Sequence, residues 1–160
     1  MTLFDLFERL ESSFIGTSVR ESVWLFPAIE AVHLLGLALL GGAVLMLDLR
    51  LLGLGLRNAP ISRIEQQTRP WLIAALFTLL ITGVPLFLSE TLKLYANQAF
   101  WIKLVALACA LIFTAIIRIK ISRHDRLSES AAALPRRAIA VVSLSLWLTV
   151  AIAGRWIGFS

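Results

Sequence analysis

Residues 23–53 read VWLFPAIEAVHLLGLALLGGAVLMLDLRLLG, and this stretch decides the fold. From Val23 to Leu47 its only ionisable side chains are Glu30 and His33. A helix needs about 20 predominantly apolar residues to cross about 30 Å of hydrocarbon. The run is long enough, and no alternation of polar and apolar residues suggests a strand. It predicts a transmembrane helix.

Three further runs repeat the pattern, at 71–88, 100–117 and 138–156. Of the 160 residues 59% are hydrophobic, against about 45–50% in soluble domains. The mean hydropathy is +0.86. A core of this size would struggle to hide so much apolar surface from water. The expected fold is all-α, a four-helix transmembrane bundle over residues 21–160 with spans at about 23–47, 71–88, 100–117 and 138–156. Residues 1–20 are expected to form an amphipathic interfacial helix. Leu3, Phe4, Phe7, Leu10 and Phe14 recur at helical spacing, with Asp5, Glu8, Arg9 and Glu11 opposite. A basic start followed by a plain apolar stretch, as in a cleavable signal peptide, is absent.

Basic residues set the expected orientation. The connections 48–70 and 118–137 hold ten of the fifteen Lys and Arg; the other side holds four, with Lys103 inside the third run. The positive-inside rule places both connections in the cytoplasm and both termini in the periplasm of a bacterial inner membrane. With the net charge of +5 used in this way, nucleic acid is not expected as a partner. The expected partners are the lipid bilayer and either further copies of the chain or a membrane complex.

Polar groups at membrane depth are expensive and therefore informative. Glu30, His33, Gly41 and Asp48 fall on one stripe of the first helix, which is expected to face the bundle interior. Thr78, Thr82, Pro85 and Ser89 share a side of the second helix, and Lys103, Ala106, Ala110 and Thr114 a side of the third. Helical rise puts Glu30 roughly 10 Å, His33 roughly 15 Å and Lys103 roughly 5 Å below the outer ends of their helices. With Arg155 at the outer end of the fourth run, these residues are expected to form a cluster in the outer half of the membrane.

Three readings of that cluster stay open. In the first, His33 is the metal ligand of a haem b or copper site, helped by Glu30, Lys103, Arg155 and Thr82. That reading predicts a pocket beside His33, opening outward and bordered by Thr82 and Lys103, with the second ring nitrogen held by an acceptor. In the second, Glu30 is neutralised by Lys103 or Arg155 and the cluster only fixes helix register, as in a non-catalytic subunit or scaffold. In the third, the groups form a proton or ion relay. A bis-histidine haem does not fit, because His124 lies more than about 20 Å from His33 by helical rise. A di-iron site needs a second Glu-x-x-His, which the sequence lacks.

Whether the chain is an enzyme stays open. It has no phosphate-cradling glycine loop, nucleophile elbow or glycosidase-like carboxylate pair. The single cysteine, Cys109, allows no internal disulfide. Trp24, Trp71, Trp101 and Trp156 lie near helix ends and are expected to anchor at the interfaces. Trp147 is mid-helix and is expected to face lipid or another subunit.

Pro27, Glu30, His33 and the run Asp48-Leu49-Arg50-Leu51-Leu52-Gly53 resemble a bacterial family of small four-helix membrane proteins of unknown function. Pro70-Trp71, Thr82-Gly83, Asn97-x-x-Phe100-x-x-Lys103 and Gly154-Arg155 extend the resemblance over nearly the whole chain from residue 23. It implies a four-helix membrane domain without an established activity. His33, Thr82-Gly83 and Lys103 also resemble copper-resistance protein D-type membrane domains. This chain has half the helices of those domains and lacks their further histidines and Met cluster.

Overall fold

A computed structural model describes residues 2–56, 58–123 and 133–158. These form seven helices and no strand: α1 (Leu3–Glu11), α2 (Phe14–Glu21), α3 (Leu25–Leu52), α4 (Ile61–Ser89), α5 (Thr91–Ala96), α6 (Gln98–Arg123) and α7 (Ala133–Ile157). By length and composition α3, α4, α6 and α7 are able to cross a membrane. The protein is an all-α helical bundle with four membrane-spanning helices.

The spans outrun the apolar runs. α4 begins at Ile61 rather than 71, and α6 continues to Arg123 rather than 117. Hydropathy stops at the first charged residues, but those residues keep helical backbone and several turn inward. The connections expected at 48–70 and 118–137 are correspondingly shorter. The second of them, residues 124–132 with His124, lies outside the described residues.

Local signals explain the ends of α3. Pro27 sits in its first turn, where an N–H has no intrahelical acceptor to lose. Gly53 ends the helix in the left-handed region, φ 77°, which glycine adopts without a Cβ penalty. Arg50 Nε then donates to the Ala59 carbonyl at 2.8 Å and closes the short loop into α4.

The most extensive contact is between α3 and α4. Leu40, Ala43, Val44, Leu72 and Ala75 form a buried layer between them. Gly36 lets them approach: a Cβ there would lie 3.2 Å from Thr78 Cγ2. α7 closes on α3 through Leu47, Leu51 and Ala140, and on α6 through Ala106, Ala110 and Val150. α6 packs chiefly on α7, so its outer face, with Val105 and Ile112, is exposed. Trp147 does not face outward as expected. Its Nε1 donates to Thr114 Oγ1 at 3.1 Å, between α7 and α6.

The N-terminal segment is two helices rather than one. Thr2 and Asp5 form a capping box that starts α1, and Ser13 Oγ caps α2 by accepting from Gly16 N. The pair is docked at the end of the bundle where α4 ends and α6 begins. Phe7 is buried against Phe87 and Tyr95, and Glu11 accepts from Leu92 N at 2.6 Å and from Arg20 Nη1 at 2.9 Å. Phe14, Val23 and Trp24 remain strongly exposed.

Candidate functional site

Toward the end of the bundle on which α1 and α2 dock, α3 and α4 bring His33 and Thr82 together, with His33 Nδ1 2.8 Å from Thr82 Oγ1. The Thr82 hydroxyl gives its one proton to the Thr78 carbonyl at 2.6 Å. Its oxygen can therefore only accept from His33, which fixes the proton on Nδ1 and leaves the Nε2 lone pair available in the neutral ring. Gly83 makes room for this ring: a Cβ there would stand 3.3 Å from His33 Cε1. Lys103 on α6 lies along Gly154 of α7 and its charge acts on His33.

The rest of the expected cluster does not assemble. Glu30 is exposed, and among the described residues no ion pair joins it to Lys103 or Arg155. Arg155 is exposed and makes contacts of its own. Gly41 is exposed as well, and a Cβ added there would meet nothing within 4 Å. The buried stripe of α3 instead runs through Gly36, Leu40, Ala43, Val44, Leu47, Asp48 and Leu51, with half-buried His33 above it. Relative to the His33–Leu51 line, Glu30 and Gly41 fall about 60° and 80° to the same side. Asp48 shares the azimuth of Glu30 and is buried because α7 closes on that end of α3.

The structure gives no support to a haem or copper site at His33. His33 is a single ligand, and among the described residues no three His, Cys, Asp or Glu side chains come together. A groove of about 500 Å³ lies between α6 and α7 and is bordered by Gln98, Ile102, Ile152 and Trp156. A cavity of about 10 Å³ lies at the other end of the bundle, and His33 lines neither of them.

That other end holds the cluster that hydropathy overlooked. Arg118 of α6 is 7% exposed and Glu65 of α4 is 1% exposed. Arg118 Nη1 stands 3.9 Å from Glu65 Oε1 and donates to Thr68 Oγ1 at 3.2 Å, while Nη2 donates to the Ala43 carbonyl of α3 at 3.3 Å. Ser143 of α7 donates to Asp48 Oδ2 of α3 at 2.7 Å. Asp48, Ser143 and Arg118 line the small cavity together. Glu65 Oε2 and Arg118 Nε are buried and have no hydrogen-bond partner among the described residues. Counted as loop charges, Glu65 and Arg118 gave no sequence signal except their position just beyond apolar runs, where a helix can continue. Asp48 was legible, as part of the inward stripe.

Between the two polar sites lies the apolar layer of Leu40, Ala43, Val44, Leu72 and Ala75, against which Trp147 packs.

No curated protein sequence and no solved structure matches the chain. The likeness to copper-resistance protein D-type domains has no counterpart in these comparisons. Residues 6–160 do match a family of unknown function, DUF6644. With nearly its whole length so matched, the chain belongs to that DUF6644 family.

Proposed function

We propose that the protein is a non-catalytic subunit of the bacterial inner membrane, a helical scaffold whose inner polar cluster locks the four spans together. The observation that carries this reading is the placement of Arg118. It holds α3, α4 and α6 through one side chain, and the Asp48–Ser143 bond adds α7. Groups engaged in this way, around a cavity of about 10 Å³, leave no room for a substrate. The excess of Lys and Arg beside this end of the bundle supports a cytoplasmic position for it, with both termini periplasmic.

A scaffold needs a surface for partners, and α3 offers one. Ala38, Gly41 and Gly42 lie on its exposed side, and nothing approaches the glycines within 4 Å. Small residues on a lipid-facing helix allow close contact with another helix, which supports assembly with further copies of the chain. The test is the mass of the purified protein–detergent complex, with an absorbance spectrum of the same sample. The expected result is a colourless oligomer that Gly42→Leu converts to monomers. A monomeric wild type with a Soret band or stoichiometric copper overturns the proposal.

A further inference from the structure

The inner cluster has an imbalance that a purely structural lock does not require. Its buried ionisable members are two acids, Asp48 and Glu65, and one base, Arg118. Among the described residues the groups facing them add no second buried cation. α4 contributes Thr68 and Arg69, whose charge acts on Arg118 but whose side chain is exposed. α6 contributes Thr114, and α7 contributes Ser143. With both carboxylates ionised, the buried set would carry an uncompensated negative charge in a low-dielectric interior, which is strongly unfavourable.

We infer that the Asp48–Glu65–Arg118 cluster is a proton-binding site, holding one exchangeable proton that the two carboxyl groups share against a single guanidinium. Glu65 faces Arg118 in the ion pair. Asp48 is the seat of the proton, because it lines the cavity and needs only one of its oxygens for the Ser143 hydroxyl. The cavity, about 10 Å³, has room for about one water, which would pass the proton to and from Asp48. Thr114 and Ser143 on its wall supply hydroxyls for the same transfer. The apolar layer around Leu40 and Ala75 closes the site on its outer side, so exchange runs through the end of the bundle that carries the basic connections. Proton binding here goes beyond the scaffold reading and does not depend on assembly through α3.

The test is infrared spectroscopy of the full chain in lipid at neutral pH, following the carboxylic C=O stretch in water and after transfer to D₂O. Wild type should show one protonated carboxyl whose band shifts in D₂O. Asp48→Asn and Glu65→Gln each remove one acid, balance the buried charge and should each abolish the band. Ser143→Ala should keep the band but move its frequency, and this variant leaves the ion pair intact. Circular dichroism of each variant checks that the helices persist. Absence of the band in wild type overturns the inference. A band that survives Glu65→Gln shows an acid neutral for reasons of its own rather than a shared proton, and a band that does not respond to D₂O shows a proton that does not exchange; either result also overturns it.

Discussion

Arg118 and Thr68 are 50 residues apart in the chain, yet Arg118 Nη1 donates to Thr68 Oγ1 at 3.2 Å inside the bundle. The hydroxyl in turn donates to the Ile64 carbonyl of its own helix at 2.8 Å. A guanidinium is thus held at membrane depth by a neutral oxygen, a backbone carbonyl and one acid.

Removing the guanidinium should cost far more than removing the acid's charge. Arg118→Leu strands Glu65 and Asp48 and should destabilise the bundle by about 3–5 kcal/mol. Glu65→Gln keeps the shape and leaves Arg118 its other acceptors, so its effect should be much smaller. Thermal unfolding in detergent compares them. Equal losses would show that Glu65 and Arg118 do not act as a pair.

Thr82 should matter through its oxygen. Thr82→Val removes the acceptor of His33 Nδ1 and should cost about 1–3 kcal/mol, while Thr82→Ser should be nearly neutral. The same two variants can be followed by the ¹⁵N shifts of the His33 ring. In wild type the ring should be the Nδ1–H tautomer, and a Nε2–H spectrum would contradict the assigned direction of the bond.

The N-terminal helices should be sensitive to one methyl group. A Cβ at Gly16 would stand 2.5 Å from the Leu88 carbonyl oxygen of α4, and that atom is backbone. Gly16→Ala should therefore lift α2 from α4 and speed proteolysis within residues 1–21 while leaving the spanning helices folded. Unchanged protection would mean that α2 does not dock there.

The start of α1 should depend on pH. The Asp5 carboxyl lies below its ordinary value because the Thr2 backbone N–H, and then the Thr2 hydroxyl, stabilise the carboxylate. A lowered folded value contributes stability that is present above the ordinary carboxylate range and lost as pH falls through the lowered one. Amide exchange in the first turn of α1 should accelerate on acidification. Asp5→Asn should show the faster exchange already at neutral pH, and a variant indistinguishable from wild type would remove the cap from the account.

Orientation is open to a direct check. Reporter fusions at Ala59 and Ser130 should be active only as cytoplasmic reporters, and one at the C-terminus only as a periplasmic reporter. The reverse pattern would turn the Arg118 cluster toward the outside.

The sequence by itself determined the number and class of the spans. Four apolar runs, each about the length that hydrocarbon demands, leave helices as the only way to satisfy the backbone. It also placed His33 on the line of the apolar core stripe, whereas Asp48 shares the azimuth of Glu30 and is buried only because α7 covers it. Only the tertiary structure decided which polar groups meet. Glu30 was placed inside by its own helix's periodicity, but no neighbouring helix covers it, and a periodicity carries no information about neighbours. Arg118 and Glu65 read as solvated ends of their helices, because a charge ends a hydropathy window whichever way it points. Their burial depends on α4 and α6 continuing past the apolar runs and on Ala43 and Thr68 lying opposite. Interactions between residues so distant in the chain exist only once the helices have packed.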